Sequence, residues 1–131
     1  MPLIRNTIAG AGTIASAKVA RQFGLNIAAG TTSNPIFTEM QVNTLPFHVF
    51  YCILTAGPAN CTFEPRFAVT NTVVAGIVRP DYQPVVPPQP LFLNVPVSVN
   101  ARMVANMITG VITVPGGGAG ATATLILAAS L

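Results

Sequence analysis

Charge is what this sequence has least of. Six Lys or Arg and three Asp or Glu are the only residues ionised at neutral pH among 131, or 7% of the chain. An ordinary soluble domain carries roughly 25%. So few charges do not cover the surface of a 13.5 kDa monomer, and the remainder must be amides, hydroxyls, backbone and apolar atoms. Small, freely soluble domains keep charge on about a quarter to a third of their surface. A chain this poor in charge is best kept in solution by burying its exterior against partners, so the sequence reads as a subunit.

The same scarcity starves most chemistry. Glu39, Glu64 and Asp81 are the only carboxylates and no two are close in sequence, whereas glycosidase, aspartic-protease and two-metal mechanisms need them paired. Ser16, Ser33, Ser98 and Ser130 sit in no nucleophile motif. His48 is the single histidine, and with Cys52 and Cys61 it gives three ligands where structural zinc takes four. His48 and Cys52 share one side of a strand, but an activated thiol needs an orienting third group and a cleft. The reading is therefore of a non-enzyme with no cofactor and no metal. Positive charge is not clustered either: the net +3 is spread along the chain, which is no nucleic-acid footprint.

Two glycine-rich stretches are weighed against binding motifs. Gly10-Ala-Gly12-Thr-Ile-Ala15 matches a dinucleotide fingerprint in form. The acid expected about 20 residues later is missing, as is any strand–helix alternation, so a chance small-residue run explains it better. Gly116-Gly-Gly-Ala-Gly120 lacks the Lys-Ser/Thr of a phosphate loop and reads as a hairpin tip. The long uncharged run Met103–Leu131 is cut by Pro115 and the glycines into pieces too short to span a bilayer as helices. No compact apolar segment follows Arg5, so neither a membrane span nor a secretory signal is expected.

What the sequence does hold is strand pattern and core material, 51% of it apolar. Phe47–Thr55 is aromatic and β-branched, suiting a strand covered on both faces. Thr62–Val78 predicts two strands or one bent one. Pro80–Pro90, with five prolines in eleven residues, predicts an extended connection outside any sheet interior. Leu91, Leu93, Val95, Val97 and Val99 alternate as one strand face, with Pro96 marking an edge. Met107–Val114 and Thr122–Ala128 predict a terminal hairpin. Short strands with Gly and Pro punctuation predict an all-β fold, a compact antiparallel β-sandwich or small barrel over residues 46–131.

Residues 1–45 are rich in Ala, Gly, Thr and Asn, with a short helix expected over Ile14–Phe23. Two readings stand: an extended, largely irregular N-terminal arm laid over neighbouring subunits, or extra strands of the same domain. On the arm reading, Arg5, Ile8, Ile14, Lys18, Arg21 and Phe23 are the assembly contacts. Cys52 and Cys61 flank the turn Ala56–Ala59, and the pair reads either as a cross-strand disulfide or as two buried thiols.

A short, almost uncharged chain with a small-residue N-terminal segment and a compact β-domain resembles the capsid decoration (cement) proteins of tailed bacteriophages. The resemblance is one of composition and carries no site residues. It implies a structural virion protein made in the host cytoplasm and seated on the capsid surface. Such a subunit oligomerises with itself and binds the major capsid protein or other virion subunits. The competing expectation is a receptor- or carbohydrate-binding β-module of a viral fibre or tail, which usually displays aromatic platforms. Trp is absent, and Tyr51 and Tyr82 are the only tyrosines.

Overall fold

The computed structural model describes residues 19–33, 40–41 and 45–130, and no helix occurs among them. The strands are β1 (Val19–Ile27), β2 (Thr32–Ser33), β3 (Met40–Gln41), β4 (Phe47–Ala56), β5 (Thr62–Val74), β6 (Ile77–Pro84), β7 (Gln89–Pro90), β8 (Val97–Arg102), β9 (Met107–Thr113) and β10 (Ala121–Ser130). They form two antiparallel sheets, one in the order β1-β10-β4-β8 and the other β2-β9-β5-β6. The two-residue strands β3 and β7 pair with β9 and β5. The expected antiparallel β-sandwich is what the chain builds.

The strand order says which sandwich it is. Taking β2 with β3, and β6 with β7, as two interrupted strands leaves eight, in the orders 1-8-3-6 and 2-7-4-5. That is jelly-roll topology. The connections after β1, β3, β4, β7, β8 and β9 all cross from one sheet to the other. Among the described residues only β5 and β6 make a hairpin between consecutive, paired strands.

The core lies between the sheets. Phe50, Cys52 and Leu54 of β4 and Leu125, Leu127 and Ala129 of β10 face Phe63, Ile108 and Ile112 of the opposite sheet, all buried. Each fully buried Phe, Leu or Ile among them contributes about 1.5–3 kcal/mol of transfer free energy. The alternate residues of the same two strands, Val49, Tyr51, Ile126 and Ala128, are buried too, on the outer face of the first sheet. The apolar run Phe47–Thr55 thus has cover on both sides, as its composition predicts.

The structure departs from the sequence reading at four places. The terminal hairpin is absent: β9 and β10 lie in different sheets, and the glycine run is a crossover. Its glycines serve close backbone approach. Gly116 packs on Gly30, and at Gly120 a Cβ would collide with the carbonyl of Ile27. Leu91–Val99 is not one strand. Phe92 to Val95 is a four-residue turn, closed by Val95 N–H donating to the Phe92 carbonyl at 3.0 Å with Asn94 at φ 59°, and β8 begins only at Val97. Pro80–Pro90 is partly strand, because β6 is an outermost strand where proline is tolerated. Finally, the described part of the expected helix, Val19–Phe23, is β-strand, paired from Val19↔Ala129 to Phe23↔Leu125. Long-range pairing with β10 overrides the local helical pattern, and this part of the first 45 residues belongs to the sandwich.

One proline sits inside a central strand. Pro65 of β5 lies opposite Gly110 of β9 on one side. On the other side its carbonyl accepts the N–H of Val85 at 2.9 Å. A strand residue turns its N and O to the same edge, so the missing donor faces the gap between β6 and β7, where no strand asks for it.

Candidate assembly surfaces

β5 outruns its sheet. Its pairing with β9 ends at Ala68↔Met107, yet it continues six residues to Val74 with only β6 beside it. The result is a two-stranded ribbon, joined by a two-residue turn in which Ala75 and Gly76 both have positive φ (52° and 78°), the backbone that matches strand twist in tight hairpins. A β-bulge between Ala68 and Asn71 marks where the ribbon leaves the sheet. Its root is tied to the body by Asn106, whose backbone N–H donates to the Ala68 carbonyl and whose side-chain amide donates to that of Val69.

The ribbon is apolar where water should be. Val73, Val74, Ile77 and Val78 are 54–63% exposed. The register Val73↔Val78 and Asn71↔Pro80 puts three apolar residues and one amide on one face. The other face carries Val74 and Ile77 at the tip, then Arg79 and a polar clasp, in which the Thr70 and Thr72 hydroxyls donate to the Asp81 carboxylate. A hairpin of this length is marginal in water by itself, and its cross-strand pairs Val73↔Val78 and Val74↔Ile77 add only about 0.2–1 kcal/mol each.

A second apolar patch lies at the other end of the sandwich. The turn Phe92–Val95 is pinned by the Asn94 N–H donating to the Leu54 carbonyl at 2.7 Å, close to the end of β4. Phe92, Leu93 and Val95 are 49–62% exposed there. Residues 82–101 carry no charge at all. The two patches are held apart by the body of β5, where Thr62–Ala68 alone spans roughly 20 Å at strand spacing.

The residues singled out in the sequence fall elsewhere. Arg5, Ile8, Ile14 and Lys18 lie outside the described residues. Arg21 stands exposed on β1. Phe23 packs against the core between the sheets, so it is a contact within the subunit. Cys52 and Cys61 are free thiols, both buried. The hairpin that a cross-strand disulfide requires does not form, because β4 and β5 belong to opposite sheets; Cys52 pairs instead with Leu125 and Val97. Burial pushes the Cys52 thiol up to about 12 and raises that of Cys61 as well. Thiols held protonated are poor nucleophiles and poor metal ligands. His48 points inward, its Nε2 at 3.1 Å from the Met103 carbonyl, and burial lowers its pKa from 6.5. Among the described residues no group of three His, Cys, Asp or Glu converges as a metal site, and no helix is long and apolar enough to cross a membrane. Tyr51 is buried and Tyr82 half-buried, so neither offers an open aromatic platform.

Neither surface was found from sequence. For the ribbon a signal existed: Val73-Val-Ala-Gly-Ile-Val78 is β-branched on both sides of a two-residue turn.

No protein-family model and no curated protein sequence matches the chain. Among solved structures, it is similar to a subunit of Bacillus endospore appendages, described as a family of disulfide-linked pili. That match has 13% identity and a TM-score of 0.44, covering 86% of this chain and 88% of the other. It is also similar to a chain of infectious bursal disease virus, Gx strain, at 10% identity and a TM-score of 0.36 over 85% of this chain and 32% of the viral one. The VP2 subviral particle of infectious bursal disease virus gives 8% identity and a TM-score of 0.34, over 87% and 33% of the two chains.

Proposed function

We propose that this protein is a structural subunit of a virion, joined to its neighbours through apolar surface and stabilising the shell it sits on or in. The observation that carries the reading is the uncharged ribbon tip Val73–Val78, four of whose six residues are valine or isoleucine and all of which face solvent. Such a surface on an isolated chain costs solubility and contributes little to folding, so it is explained by neighbours that cover it. Jelly rolls serve capsids, lectins and metal-binding cupins alike, and fold alone does not choose among them. The residues weigh against the last two: one buried histidine suits no cupin centre, and the lack of an open Tyr or Trp platform disfavours sugar binding. The specific role is a decoration subunit that binds only the assembled lattice and so stabilises it by mass action. Residues 1–18, with Arg5, Ile8, Ile14 and Lys18, supply further contacts to the shell.

The test is light scattering on the purified chain across a wide concentration range, alone and with shells lacking it. Self-association or uptake onto shells is expected. A chain that stays a well-behaved monomer at high concentration and ignores shells overturns the proposal. Removing residues 1–18 keeps the sequence of β1 and of every other described strand, and is expected to weaken uptake onto shells.

A further inference from the structure

We infer that the ribbon of one copy docks on the Phe92–Leu93–Val95 turn of the next, so that copies join head to tail. The inference rests on the assembly reading above and names its interface. The two patches are the largest clusters of exposed apolar side chains among the described residues: Val69, Val73, Val74, Ile77 and Val78 at one end, Phe92, Leu93 and Val95 at the other. No single copy can bring them together, because the paired body of β5 stands between them. Two copies can.

Charge fits, and the apolar area supplies most of what a small interface needs. The ribbon turns its one cation, Arg79, and the Asp81 clasp to one face and leaves the Val73–Val78 face uncharged. The turn lies within a stretch, residues 82–101, that has no ionisable acid or base except Tyr82, so neither surface strands a charge when they meet. At these exposures Val73 and Val78 with Phe92, Leu93 and Val95 offer on the order of 500 Å² of apolar surface. A specific interface at the small end buries roughly 1,200 Å², a little over half of it apolar, so these five residues supply most of that apolar area and their neighbours the rest. A patch meeting a different patch gives a heterologous contact, which closes into a ring or runs on as a filament according to the rotation it imposes. An isologous dimer would leave one patch of each copy uncovered.

Two variants test this directly. Val73→Thr with Val78→Thr blocks the ribbon and keeps β-branched residues in the hairpin. Phe92→Ser with Leu93→Ser blocks the turn. Circular dichroism and a thermal midpoint near that of the parent chain establish that each still folds. Each variant alone is expected to run as a single chain where the parent associates. Mixed in equal amounts they should form a two-chain complex and nothing larger, since the intact ribbon of one finds the intact turn of the other and the remaining ends are blocked. If the parent associates and either variant associates equally well, or the mixture yields no pair, the head-to-tail contact is wrong while the assembly reading stands. If the parent itself never associates at any concentration, with or without shells, both fall.

Discussion

The two halves of β5 invert the usual relation between sequence and burial. The first half, Thr62–Ala68, carries Glu64 and Arg66, and yet Phe63, Pro65 and Ala68 within it are buried. The second half, Val69–Val74, has no charge, and every residue of it is exposed. What differs is the company. The first half has β9 on one side, β6 and β7 on the other, and the opposite sheet on its inner face. Its two charges turn outward and pair with each other. The second half has β6 alone. Apolar residues in a chain with so few charges therefore do two jobs, and only the three-dimensional neighbours say which.

That contrast is open to direct challenge. The largest effect belongs to the buried half: Phe63→Ala should cost about 3–5 kcal/mol of unfolding free energy, because a fully buried ring leaves a cavity. Denaturant titration reads it. Gly110→Ala, in the strand beside Phe63, should cost about 1–3 kcal/mol by overpacking. The added methyl would stand 2.5 Å from the Phe63 ring and 2.9 Å from Leu125. The same titration checks this, and an unchanged midpoint would mean that the two sheets are looser there than drawn.

Acid should weaken the core as well. Desolvation lowers the pKa of His48 from 6.5, and its hydrogen bond to the Met103 carbonyl opposes that only in part. As pH falls through about 6.5 the unfolded chain takes up a proton that the folded chain still refuses, so the unfolded state binds more protons and stability drops. Above that pH this group contributes no slope. Thermal midpoints at pH 7.5, 6.5 and 5.5 should decline in that order at the low end, and His48→Gln should flatten the decline. The smallest effect belongs to the exposed half: Val73→Ala should change unfolding free energy by no more than about 0.5 kcal/mol at concentrations where the chain is monomeric. A loss of 2 kcal/mol or more there would erase the distinction between the halves, on the scale of core truncations.

Much of this architecture was legible from residues alone. Phe47–Thr55 announced a strand buried on both faces, and Met107–Val114 and Thr122–Ala128 announced strands at nearly their true bounds. Alternation reports which residues share a face, though, and not which sheet the strand joins. A flexible glycine loop serves a hairpin and a crossover equally well, so β9 and β10 looked like partners when they are not. Likewise Leu91, Leu93 and Val95 kept perfect alternation through a turn that Asn94 alone betrays by its positive φ. The jelly roll was hidden for this reason: nearly all its defining contacts are between residues far apart in the chain. The assembly surfaces were hidden for another, since a valine written for a neighbour and one written for the core are the same letter.

β10 occupies the middle of its sheet, with β1 bonded along one edge from Val19↔Ala129 to Ile27↔Ala121 and β4 along the other. Until Ala121–Ser130 has left the ribosome, β1 and β4 have no strand between them and wait as unpaired edges. Closure of this sheet therefore waits until β10 has been made, and it should be slow, as sheets that close over long sequence separations are. Until β10 slots in, the facing edges of β1 and β4 stand open to the strands of other copies, a hazard that grows with the number made at once.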